Sequence, residues 1–120
     1  MKKILIIDDD QGNLEVMALI FLEVGYRVEA VSCEAELWKV IDSFYPDLIF
    51  IDILLGGTNG VELCSRLKQH LGNNKLKIAI LSACDKNLEA AEQDSCANDY
   101  ISKPFDVDQI MELAHRLLEQ

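Results

Sequence analysis

Short apolar runs alternate with stretches of helical period five times along the chain. The runs are Ile4 to Ile7, Arg27 to Val31, Leu48 to Ile51, Lys77 to Leu81, and Tyr100 to Ile101. Three of them are almost continuous in Ile, Leu, Val and Phe, the pattern of parallel strands covered on both faces. Between the runs, Leu14, Met17, Phe21 and Val24 fall at helical spacing, as do Leu37, Trp38, Ile41 and Phe44, and then Cys64, Leu67 and Leu71. The clearest helix is the last, where Val107, Ile110, Met111, Ala114, Leu117 and Leu118 form one stripe. Asp106 is placed to cap it, with Gln109 three residues on as the second half of a capping box. The segment from Lys86 to Asp94 is the weakest helix, with only Leu88, Ala90 and Ala91 to bury. Such a (βα)5 alternation predicts an α/β, doubly wound, five-stranded parallel sheet with helices on both faces. No repeat, low-complexity tract or linker divides the chain, so residues 1–120 are expected to form a single domain.

Composition narrows the function classes. Half of the 120 residues are hydrophobic and 27% are charged, which is globular composition, and the net charge is −10. The basic residues are scattered, so neither nucleic acid nor an anionic membrane surface is an expected partner. No apolar run approaches the roughly 20 residues of a membrane-spanning helix. The start, Met1 to Ile7, meets Asp8-Asp9-Asp10 too soon to be a signal peptide. Cys33, Cys64, Cys84 and Cys96 form no C-x-x-C pair and no local cluster with His70 or His115, which argues for small buried thiols in a reducing, cytoplasmic setting. Trp38 and Met17 are assigned to the core.

In a parallel sheet, chemistry belongs beyond the carboxyl ends of the strands. Asp8-Asp9-Asp10 follows the first strand, Asp52 the third, Ser82-Ala83 the fourth and Lys103-Pro104 the fifth. Each has a plain reading in isolation: a helix cap, a strand-ending turn, a small loop residue, a solvated lysine. Together at one rim they supply carboxylates, a hydroxyl and an ammonium. Two carboxylates about 4 Å apart repel by around 4 kcal/mol at an effective dielectric near 20, so a cation must sit among them. Hard oxygen ligands suit Mg²⁺ (or Mn²⁺), and phosphoryl transfer needs an oxygen nucleophile, a metal and fixed donors for the phosphoryl oxygens.

Lys3-Ile-Leu-Ile-Ile-Asp-Asp-Asp10, Pro46 to Asp52, Asn59-Gly60-Val-Glu-Leu63, Leu81-Ser-Ala83 and Asp99-Tyr-Ile-Ser-Lys-Pro-Phe105 resemble, in order and across the whole chain, the receiver domain of two-component response regulators. The resemblance implies a flavodoxin-like sheet of strand order 2-1-3-4-5. It implies that Asp52 is the phosphoacceptor, taking a phosphoryl group from a sensor histidine kinase or phosphotransfer protein. By the same resemblance Asp9 binds the metal directly, Asp8 holds it through water, and Asp52 and the Leu54 backbone carbonyl complete the protein ligands. Lys103 would pair with Asp52 and then with a phosphoryl oxygen. Ser82 and Tyr100 would be the switch residues, reshaping the surface of the fourth helix, fifth strand and fifth helix for a downstream output domain or target protein. The Lys103-Pro104 bond resembles one that is usually cis. Such a domain is no enzyme in the ordinary sense, since it catalyses only its own phosphorylation and dephosphorylation.

Departures from the pattern are confined to the surroundings. Gly56 stands where proline is common, which predicts a mobile loop before metal binds. Cys96 replaces a frequent glycine, and Leu54 and Cys84 offer no handle for an attacking water. The rival readings are a pseudo-receiver that never accepts phosphate, a haloacid-dehalogenase-like phosphatase suggested by Asp8-x-Asp10, and a flavin-binding domain. The first would have no use for Asp9, Asp52, Ser82 and Lys103 together. The second leaves Asp52 without a role, and the third lacks a phosphate cradle after the first strand.

Overall fold

The structure is a computed structural model, and it describes residues 2–55, 58–72, 76–82 and 97–119. Along the chain run β1 (Lys3–Ile7), α1 (Gln11–Val24), β2 (Arg27–Val31), α2 (Glu34–Phe44), β3 (Leu48–Asp52), β4 (Leu54–Leu55), β5 (Thr58–Asn59), α3 (Gly60–Leu71), β6 (Lys77–Ser82), β7 (Asp99–Ser102) and a C-terminal helix, α4 (Val107–Leu118). Five strands form one sheet in the order β2-β1-β3-β6-β7, with every pairing parallel. Counting those five alone, the order is 2-1-3-4-5. The difference from the expected plan is the small antiparallel pair β4–β5, in which Leu54 faces Asn59 and Leu55 faces Thr58. Strands of two residues carry no periodicity that a sequence reading can detect.

Apart from Lys3 at the start of β1 and Asp52 at the end of β3, these two strands are apolar because helices cover both faces. Side chains alternate between two cores. Leu5, Ile7, Ile49, Ile51, Ile78 and Ile80 pack on the side of α2 and α3 with Leu37, Ile41, Leu63, Cys64 and Leu67. Ile4, Ile6, Leu48, Phe50, Ala79 and Leu81 pack on the other side with residues of α1 and α4. There the Phe21 ring stacks on Phe50 at 5.4 Å between centroids. The helix ends follow local chemistry. Asp106 and Gln109 close a capping box at α4, and Gly25 ends α1 at φ 107°, a left-handed conformation that costs a glycine little.

Several core assignments need correction. Val24 and Val107 keep the helical period but are 49% and 47% exposed, each being a terminal residue of its helix, while Leu113 joins the core instead. Cys33 is exposed at the N-cap of α2, whereas Cys64 is buried as expected. Met17 is buried, but Trp38 is only half-buried, because its indole N–H is committed to a carboxylate at the surface. The weak helix expected over 86–94, the Gly56-Gly57 pair, Cys84 and Cys96 lie outside the described residues.

That carboxylate is Glu34, at the start of α2. It accepts both terminal nitrogens of Arg66 on α3, the Trp38 indole N–H at 2.8 Å and the Thr58 hydroxyl of β5 at 3.2 Å. The Arg66 fork, then the indole N–H, hold the Glu34 carboxyl down to about 2. A second contact fixes the start of α3. The Gly60 amide donates to Ile53 O at 2.7 Å, and a Cβ on Gly60 would lie 2.7 Å from both Asp52 O and Ile53 Cα.

Two outcomes follow from these contacts. Gly60→Ala must push backbone against backbone and should lower stability by about 1–3 kcal/mol in urea unfolding, the usual cost of overpacking; an unchanged midpoint would show that α3 shifts freely. Because the folded Glu34 carboxyl titrates below its unfolded value, its contribution is complete above pH 4.5 and drains away as pH falls toward 2. The gap in melting temperature between wild type and Glu34→Gln should therefore narrow over that window, and a constant gap would show that the ion pair adds nothing.

Candidate functional site

Parallel pairing brings the ends of β1, β3, β6 and β7 to one rim of the sheet. Three polar groups are buried among the described residues, Asp8 at 0%, Asp52 at 8% and Ser82 at 0%, and all three stand at that rim. Burying a carboxylate costs far more than burying a methyl group unless hydrogen bonds and opposite charge compensate it. Asp8 is compensated at both oxygens. Oδ1 accepts the Asp10 amide at 2.9 Å, and Oδ2 accepts Lys103 Nζ at 3.0 Å and the Asn13 side-chain amide at 3.4 Å. Lys103 Nζ also lies 3.7 Å from Asp52 Oδ2, and its side chain is 15% exposed.

Backbone hydrogen bonds set these positions. The Lys103 amide donates to Ser82 O at 2.7 Å, carrying the β6–β7 ladder one step past the sheet, and the Lys103-Pro104 bond is cis. The Ile53 amide donates to Leu81 O at 2.8 Å, and the Asp8 amide to Val31 O at 3.3 Å. Each chain thus leaves its strand already tied to its neighbour, so the side chains that follow point from a fixed frame.

The three successive aspartates separate by role. Asp10 is the N-cap of α1, accepting the Asn13 amide at 3.1 Å, a position where negative charge is favoured. Asp8 is buried and Asp9 is exposed, and each places a carboxylate oxygen so that those of Asp8, Asp9 and Asp52 lie within 4.8 Å of one another. Asp52 therefore has both neighbours that the sequence reading gave it. Three hard oxygen donors, one of them from the exposed Asp9, fit a small divalent cation that keeps several waters, so the residues present suit Mg²⁺.

Ser82 ends β6 opposite Ser102, and Tyr100 is half-buried on β7 against the core of the α2 and α3 side. Leu54 begins β4, two residues beyond Asp52. Lys103 forms the expected ion pair with Asp52 and, in addition, donates a hydrogen bond to Asp8, which lies closer. Asp8 is the more deeply buried carboxylate, and the ammonium goes where desolvation is worst. Asn13 was not named from the sequence, since one asparagine in a first helical turn carries no signal of its partner. Among the described residues no helix is long and apolar enough to cross a membrane.

Comparison with known proteins agrees with this geometry. The family model for the response regulator receiver domain matches residues 4–115. The DNA-binding dual master transcriptional regulator RpaA of Synechocystis sp. is 29% identical over 121 residues, covering 100% of this chain and 50% of the relative. The response regulator ArlR of Staphylococcus aureus is 30% identical, covering 100% and 54%. The chain thus spans about half the length of these curated relatives. Among solved structures, a CheY-like response regulator receiver domain protein from Methanospirillum hungatei superposes with a TM-score of 0.88 at 26% identity, covering 99% of this chain and 94% of that one. The receiver domain of a signal transduction histidine kinase from Syntrophus aciditrophicus also gives 0.88 at 26%, covering 99% and 91%. A buried carboxylate rim on a sheet of this order, matched by the family model over nearly the whole chain, makes this protein a member of the response regulator receiver domain family of two-component systems.

Proposed function

We propose that residues 1–120 are one receiver domain, acting in the cytoplasm, that takes a phosphoryl group onto Asp52 from the phosphohistidine of a sensor histidine kinase or phosphotransfer protein. The observation that carries this reading is the cluster of Asp52 with Asp8, Asp9 and Lys103 at one rim. A carboxylate oxygen of Asp52 attacks phosphorus, a P–O bond forms and the P–N bond breaks. The electron pair of that bond returns to the imidazole, which takes a proton from solvent. In dephosphorylation a water oxygen attacks phosphorus, the P–O bond to Asp52 breaks, Asp52 leaves as a carboxylate, and the water's protons pass to the phosphate and to solvent.

Mg²⁺ or Mn²⁺, held by Asp9, Asp52 and the Leu54 carbonyl, and by Asp8 through water, would offset charge on the phosphoryl oxygens and draw donor and acceptor together. The chain's own cation is Lys103, which in this reading trades Asp52 for a phosphoryl oxygen. The Ser82 hydroxyl serves a second oxygen. The phosphoryl group carries close to two negative charges in place of the carboxylate's one, and Ser82 and Lys103 can engage it only by moving. Tyr100 follows, altering the surface of the segment 86–94, β7 and α4 toward an output domain or target protein.

Acetyl phosphate with Mg²⁺ should add one phosphoryl group to the intact mass, and neither Asp52→Asn nor a sample in excess chelator should gain it. Asp9→Ala should weaken metal binding by more than about tenfold, whereas Asp10→Ala, which removes a helix cap, should not. Phosphorylation that survives in Asp52→Asn would refute the assignment. A wild-type protein that binds the metal but never gains phosphate would be a pseudo-receiver.

A further inference from the structure

The carboxylate of Glu34 is filled. A carboxylate offers about four acceptor positions, and four donors occupy this one: two from Arg66, one from Trp38 and one from Thr58. Three of the four come from the helices α2 and α3, so the group is fixed before Thr58 reaches it. Thr58 belongs to something much less secure. β4 and β5 have two residues each, and so short a hairpin does not hold itself together in water. It depends on outside supports, which include the burial of Leu55 in the core on the α2 and α3 side, the Ile53 and Gly60 backbone bonds at its base and the Glu34–Thr58 bond.

The position of that bond gives it a consequence. Thr58 faces Leu55 across the hairpin, and its neighbour Asn59 faces Leu54. The other end of the connection is Glu34, three residues beyond Val31, whose carbonyl accepts the amide of Asp8. A single side-chain contact therefore ties the segment that follows β2, itself bonded to the Asp8 amide through Val31, to the hairpin that follows Asp52. We propose that the Glu34–Thr58 contact is a positioning device for the metal site, setting the β4–β5 hairpin so that the Leu54 backbone sits correctly with respect to Asp8 and Asp9. The proposal rests on the metal-binding reading above. Mg²⁺ demands near-ideal octahedral geometry, so a hairpin displaced by a fraction of an ångström presents a poorer ligand. Trp38 is the chain's only tryptophan and donates to the same carboxylate, so its emission reports on the contact.

Thr58→Val removes the hydroxyl and keeps the β-branched shape, while Thr58→Ser keeps the hydroxyl. Mg²⁺ binding is followed by Trp38 emission, and Mn²⁺ binding by loss of the free-ion electron paramagnetic resonance signal. Thr58→Val should weaken both by about fivefold, the equivalent of one ordinary hydrogen bond, with little change in the urea midpoint, and Thr58→Ser should restore wild-type affinity. Affinity in Thr58→Val within about twofold of wild type overturns the proposal, as does an equal loss in Thr58→Ser. The two readings fail separately. If Asp9→Ala abolishes binding and Thr58→Val does not weaken it, only the positioning role falls; if wild type binds no metal, the site reading falls and takes this one with it.

Discussion

Two carboxylates buried side by side need a cation between them, and among the described residues Lys103 supplies it. At an effective dielectric near 20 their repulsion at about 4 Å is around 4 kcal/mol, a large share of the stability of a small domain. Lys103 Nζ answers it from 3.0 Å at Asp8 and 3.7 Å at Asp52. The position of that nitrogen depends on β7, an edge strand with a half-buried pattern. A slip of one residue would turn Lys103 to the opposite face and leave both carboxylates uncompensated. The strand is accordingly pinned at each end. The Asn98 amide donates to Ile78 O while its side chain accepts the Ile78 amide and Lys68 Nζ, and the Lys103 amide donates to Ser82 O. Asp99 pairs with Arg116 of α4. The charge balance at the rim is thus a consequence of sheet register.

Much of this could be read in the sequence, for a physical reason. β1, β3 and β6 are covered on both faces, so their apolar runs are almost uninterrupted and their ends are sharp. Parallel pairing then guarantees that residues following different strands meet, which is why Asp8, Asp52, Ser82 and Lys103 could be gathered without coordinates. What could not be read depends on single contacts between distant positions. Glu34 and Arg66 are 32 residues apart, and nothing in either helix announces the other. The β4–β5 hairpin is too short for any pattern. Whether Lys103 prefers Asp8 or Asp52 is decided by relative burial, which exists only in the folded chain. Val24 and Val107 misled for a different reason: periodicity continues to the end residues of a helix, while the surface that would cover them does not.

The Asn59-Gly60 pair shows how one dipeptide can serve both fold and site. Asn59 caps α3 by accepting the amides of Val61 and Glu62, and Gly60 lets the start of that helix approach the carbonyl of Asp52. A larger residue at 60 would move the helix or the backbone of Asp52. Glycine is costly in a helix interior, but at this first position the cost is offset by contact with β3. The placement of Asp52 is therefore held from below by β3–β6 pairing and from the side by α3.

The same economy explains where the molecule keeps its polar burial. Among the described residues, apolar side chains fill both cores and the three buried polar groups all face one rim. Violations of simple burial rules collect where a protein acts, because there the cost is offset by what the site can bind. A phosphoryl group on Asp52 would change charge at the one place where the ends of β1, β3, β6 and β7 are electrostatically coupled through Lys103. Any response of Lys103 is then felt by Asp8 on β1 and, through the Lys103 amide, by Ser82 on β6. A change of one unit charge in a low-dielectric, shared environment cannot stay local, whereas the same change on an exposed carboxylate such as Asp9 would be screened by water.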